Sequence, residues 1–102
     1  MVVRGRLRGP GAAPAVGEEM LEVLACRNLV VEQILSSAST RAALYRQEQD
    51  EWVVVLAGRA SMTVGGEPVE LGPGDWVFLP GGVPHTVERT EQGTSWLAVH
   101  LH

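Results

Sequence analysis

The chain has 102 residues, 45% hydrophobic and 20% charged, with a formal net charge of −4. This composition describes one globular domain and excludes a disordered chain. Nucleic-acid binding is not expected, because phosphate backbones need clustered positive charge, and the longest apolar run, Trp52 to Ala57, is far too short to cross a bilayer.

The single cysteine, Cys26, rules out an internal disulfide and fits a reducing compartment; with Leu24 and Ala25 before it, it reads as a small buried residue. No signal peptide is visible, so a cytoplasmic location is expected. All eight basic residues are arginine. Arg4, Arg6 and Arg8 read as part of a solvated arm.

Residues 1–17 hold four glycines and two prolines and predict an extended arm, leaving 18–102 as the single folded unit. Met20 to Leu24 is a short strand, and Arg27-Asn28 a turn. Leu29 to Leu35 is a β-branched run interrupted by Glu32 and Gln33. Ser36 to Thr40 is a polar connection, and Ala42 to Gln47 suits a helical turn too short to stand alone. Trp52 to Leu56 is an apolar strand ended by Gly58. From Ala60 to Val64 polar and apolar residues alternate, Gly65-Gly66 marks a hairpin, and Val69 and Leu71 lie on the return strand.

The densest punctuation lies between Gly72 and Thr86. One glycine turn precedes the apolar strand Trp76 to Leu79, and a second turn of Pro80, Gly81, Gly82 and Pro84 delivers His85 to the next strand. Thr86 to Thr90 alternates again. The last strand, Trp96 to Leu101, puts Leu97, Val99 and Leu101 on one face and Trp96, Ala98 and His100 on the other. Short strands separated by regular turns predict an all-β sandwich or barrel. Trp52 to Leu56 and Trp76 to Leu79 are apolar on both faces. One face fills the interior, and the expected cover for the other is a second subunit, making a homodimer. Trp52, Trp76 and Trp96 are read as core or interface residues.

Gly74, five residues, Pro80, one residue, Gly82, two residues and His85 resemble the second motif of the cupin superfamily, which usually ends in Asn where this chain has Arg89. Glu51 and Gly58 carry the end spacing of the first cupin motif. The resemblance spans roughly residues 40–101 and implies a small antiparallel jelly-roll barrel. In metal-binding cupins two His and a Glu of the first motif join the His of the second. Here Tyr45 and Gln47 occupy the two first-motif His positions.

The resemblance therefore implies a ligand-binding set of Tyr45, Gln47, Glu51 and His85. Gln47, Glu51 and His85 are the implied ligands of one divalent metal (Mn, Fe, Zn or Ni), with a metal-free pocket as the alternative. Tyr45 coordinates only as a phenolate, from an ordinary pKa near ~10. His100 or His102 supplies a second imidazole if the last strand turns its even positions inward. Arg89 either pairs with Glu88 or Glu91 at the surface or enters the pocket to hold an anion. The leading functional expectation is a small-molecule-binding module with an apolar pocket. The alternatives are a metal-dependent oxygenase, isomerase or lyase acting on a small organic acid or sugar, and a dimeric structural module without a ligand.

Overall fold

In the computed structural model, which describes residues 1–102, nine strands follow the N-terminal arm. They are β1 (Glu18–Cys26), β2 (Leu29–Ser36), β3 (Ala43–Tyr45), β4 (Asp50–Ala57), β5 (Ala60–Val64), β6 (Glu67–Leu71), β7 (Trp76–Leu79), β8 (His85–Thr90) and β9 (Thr94–Leu101). One antiparallel sheet has the order β1-β2-β9-β4-β7, the other β3-β8-β5-β6. Only β1–β2 and β5–β6 are paired as neighbours in sequence. The remaining ladders, such as β4 with β9 and β3 with β8, join strands far apart in the chain and wrap it into a jelly roll.

Side-chain alternation sorts the large sheet into two faces. Val53, Val55, Leu79, Trp96 and Ala98 point inward and pack against Ala60, Met62 and Leu71 of the small sheet and its rim. Trp52, Val54, Trp76, Phe78, Leu97 and Val99 share the outer face, as their cross-strand register requires. Trp96 is therefore a core residue, and its indole N–H donates to Ser36 Oγ at 3.1 Å. Trp76 is 61% exposed, with the Trp52 ring 6.1 Å from its own.

The arm is tied to the barrel at three residues: the Ser37 N–H donates to the Gly17 carbonyl at 2.9 Å, the Gln92 side-chain amide donates to the Pro14 carbonyl at 3.0 Å, and Arg8 pairs with Gln33. The Gln33 amide accepts from the Arg8 backbone N–H at 2.9 Å and donates to the Arg8 carbonyl at 2.8 Å, a pairing that imitates a strand ladder. Gln33 and Leu35 lie on the outer face, yet both are buried, and Leu35 stands apart from the main core cluster. A 3-10 turn, Pro10–Ala12, and bends at Ala13 and across 15–17 interrupt the arm.

Three expectations change. Ala42 to Gln47 contains the strand β3, not a helical turn, because Ala43–Tyr45 finds a ready ladder partner in β8 whereas so short a helix has no face to bury. The first strand runs well past Met20–Leu24 and carries a bulge between Glu22 and Leu24. Cys26 is exposed, since β1 is an edge strand and the residue sits at its end, just before the tight turn at Arg27 (φ 55°). No helix is long and apolar enough to cross a membrane.

Candidate functional site

The two turns around β7 bind it to β4 and so fix where His85 emerges. On one side the Gly74 N–H donates to the Val55 carbonyl at 2.7 Å and the Val55 N–H to the Asp75 carbonyl at 3.0 Å. On the other, the Gly82 N–H donates to the Gln47 carbonyl at 2.8 Å and the Gly81 N–H to Asp50 Oδ1 at 2.8 Å. A Cβ on Gly81 would lie 2.1 Å from the Glu48 carbonyl oxygen, so only glycine lets the turn approach the 46–50 loop this closely. The turn and that loop thus bring His85 together with Gln47 and Glu51.

These residues line a cavity of about 170 Å³ between the sheets. Its apolar wall includes Ile34, Val53, Met62, Leu79, Val87 and Trp96. Its polar groups are Glu18, Glu32, Tyr45, Gln47, Glu51, His85 and His100. All four positions expected from the resemblance are present. Tyr45 and His85 are cross-strand partners, and their rings stack at 5.6 Å with planes 16° apart. Gln47 Nε2 donates to Glu51 Oε1 at 2.6 Å. Glu51 is 7% and His85 5% exposed, and His85 Nδ1 is buried with no hydrogen-bond partner.

His100 faces inward, as the parity of β9 predicts, and both of its nitrogens are engaged. Nε2 lies 2.7 Å from Glu32 Oε1, and Nδ1 lies 3.3 Å from Gln49 Nε2 and 3.9 Å from Glu51 Oε1. His102 is exposed beyond the end of β9, stacks on His100 at 6.2 Å and does not line the cavity. Arg89 is also outside it. It is exposed and borders a separate concavity with Arg41, Ser37 and Thr90. Sequence reasoning missed Glu18, and it noted Glu32 only as an interruption of an apolar strand. That interruption was the available signal, because Glu32 has the inward parity of Ile34.

The expected metal does not fit these donors. No group of three His, Cys, Asp or Glu side chains is disposed to hold an ion. Glu51 Oε1 is taken by the Gln47 amide, and His100 is taken by Glu32. Tyr45 binds a metal only as phenolate. Burial pushes its hydroxyl above the ordinary phenol range, and the nearby Glu18 and Glu51 carboxylates push it further. Partial burial likewise raises the Glu18 carboxyl above the usual carboxylate range. Tyr45 thus stands as a neutral hydroxyl in the wall of a polar cavity with an apolar side.

A two-sheet jelly roll with a cavity between its sheets, lined by a histidine that follows a Gly-Pro turn, defines a class of small barrel proteins. Residues 33–100 match the family described as "Cupin domain", and the chain belongs to that family. It is 33% identical over 79 residues to an uncharacterised protein of Streptomyces coelicolor, covering 78% of this chain and 75% of that one. A solved structure from Ralstonia eutropha JMP134, provisionally named a mannose-6-phosphate isomerase, is 36% identical with a TM-score of 0.78, covering 95% of this chain and 98% of that one. The oxalate decarboxylase OxdC of Bacillus subtilis (strain 168) is 27% identical over 84 residues, which are 72% of this chain but only 22% of that protein.

Proposed function

We propose that this cupin is a binding module for a small polar organic molecule, held in the cavity by Glu51 and His85. The observation that carries this reading is His85 Nδ1, a buried polar atom with no partner in the wall of a cavity. An unpaired buried polar group costs stability, and function is a common reason for keeping one. The relatives' names suggest anionic substrates, oxalate and a sugar phosphate. The lining of this cavity does not favour them, since it includes three glutamates and neither Arg nor Lys.

Screening the wild-type chain by protein-observed NMR against polar small molecules of all charge types tests the reading. Binders are expected to shift the Trp96 indole and the Met62 methyl, both in the cavity wall, and His85→Leu is expected to abolish those shifts. A screen in which no compound moves a cavity resonance overturns it.

We also propose a homodimer formed through the outer face of the large sheet. Trp52, Val54, Trp76, Phe78, Leu97 and Val99 lie on that face with no charged residue among them, so the patch is complementary to itself, as a two-fold contact demands. Trp76, Phe78, Leu101 and Leu56 are 61%, 50%, 48% and 41% exposed. Together they leave on the order of 500 Å² of apolar surface open, a size at which patches are often functional.

A further inference from the structure

The cavity is charged as well as polar. Glu18, Glu32 and Glu51 line it, neither Arg nor Lys does, and the formal charge of the lining is −3 with neutral histidines. A proton on His100 would still leave the lining net negative.

Glu32 and Glu51 differ in the partners that face them. Glu32 has the His100 ring at 2.7 Å. Glu51 is 7% exposed, and its only hydrogen-bond partner is the neutral amide of Gln47, with His100 Nδ1 at 3.9 Å. A buried carboxylate with one neutral donor lacks a compensating charge, and a cationic partner removes that cost. Burial first, then the Glu18 charge and then the Glu51 charge raise the Tyr45 hydroxyl above the ordinary phenol range. His85, also nearly buried, stands in the same wall with Nδ1 unpartnered. A ligand that supplies positive charge and hydrogen-bond donors to this wall satisfies the groups that the protein leaves unpaired. The apolar wall of Val53, Met62, Leu79 and Trp96 suits a short carbon chain, and the Tyr45 and Trp96 rings suit an ammonium group.

We infer that the ligand is a small organic ammonium compound, an amine with a short apolar body, whose charged end meets Glu51. This inference rests on the binding-module reading and narrows it to one charge class.

The test uses three probes of similar length that differ in charge, titrated into the wild-type chain and followed at the Trp96 indole resonance. They are 4-amino-1-butanol, 1,4-butanediol and 4-hydroxybutyrate. The amine is expected to bind at least 10-fold more tightly than either of the others. Glu51→Gln is expected to weaken the amine at least 10-fold and the diol by a clearly smaller factor. Glu18→Gln, at the open side of the cavity, is expected to weaken the amine alone by a smaller factor and keeps the test valid if the Glu51 variant folds poorly. Equal binding of diol and amine, or tightest binding of the acid, overturns the ammonium inference and leaves the binding-module reading standing. Binding of none of the three overturns the inference, and the broader screen then decides whether the binding-module reading falls with it.

Discussion

Tyr45 and His85 face each other across the β3–β8 ladder, rings stacked 5.6 Å apart, yet His85 Nδ1 has no hydrogen-bond partner. The stack fixes the imidazole plane without satisfying its polarity. His85→Phe should therefore keep the stack and remove the unpaired nitrogen. The expected outcome is a melting temperature unchanged or raised by up to ~5 °C, together with complete loss of ligand-induced shifts at the Trp96 indole. Calorimetry and the NMR titration check the two halves. A large loss of stability would mean that the imidazole is structural.

The placement of His85 depends on the approach of Gly81 to the 46–50 loop. In Gly81→Ala the added Cβ would meet the Glu48 carbonyl oxygen at 2.1 Å, so the turn must move and lose its bonds to Gln47 and Asp50. A destabilisation of about 2–3 kcal/mol is expected by urea unfolding, with weaker ligand binding alongside. Gly74→Ala is the control. Its Cβ meets nothing within 4 Å and suffers only the strain of φ +88°, which costs about 1–2 kcal/mol. Equal losses for the two variants would refute a special role for the 81–48 contact.

The match between sequence and structure divides along physical lines. Turns were legible because glycine and proline act locally. Gly65-Gly66, Gly74, Pro80 and Gly82 marked the strand ends, and Gly74, Pro80, Gly82 and His85 carried the family. Inward parity on β9 correctly put Trp96, Ala98 and His100 on one face. What was not legible depends on contacts between distant segments. Ala43–Tyr45 is a strand because β8 is beside it, and Gln33 is buried because the backbone of Arg8 returns to it. The partnership of His100 with Glu32 links two strands 68 residues apart, and only the sheet order reveals it. Cys26 seemed buried from its apolar neighbours, but it ends an edge strand, where such neighbours also face solvent.

Glu18 gives the fold a pH dependence whose sign is fixed. Burial raises its carboxyl in the folded chain, so the native state holds the proton more tightly than the unfolded chain does. The resulting stabilisation is complete below the unfolded value and is lost as pH rises through the raised folded value. Glu18→Gln removes that loss. The variant should melt above the wild type at about pH 7, and the gap should close toward about pH 4. The residue stays largely open to water, so the gap should be small. A variant that melts below the wild type at neutral pH reverses the sign and refutes the account.

The outer face makes the last prediction. Trp76 is 61% exposed and stands beside Phe78 and Trp52, whereas Trp96 lies on the opposite face with its indole bonded to Ser36. A dimer through the large sheet should therefore depend on Trp76 and not directly on Trp96. Trp76→Glu is expected to give a monomer by sedimentation velocity at concentrations where the wild type is dimeric, with near-UV circular dichroism still showing a packed barrel. The charge would be desolvated twice in a symmetric contact, and that cost outweighs the apolar gain. Trp96→Ala should instead empty core volume and lower stability by about 3–5 kcal/mol, reducing association only through unfolding. A wild-type chain that sediments as a monomer up to millimolar concentration removes the dimer proposal. A dimer that survives Trp76→Glu moves the interface elsewhere, and the exposed Val23 and Leu24 on edge strand β1 are then the next positions to alter.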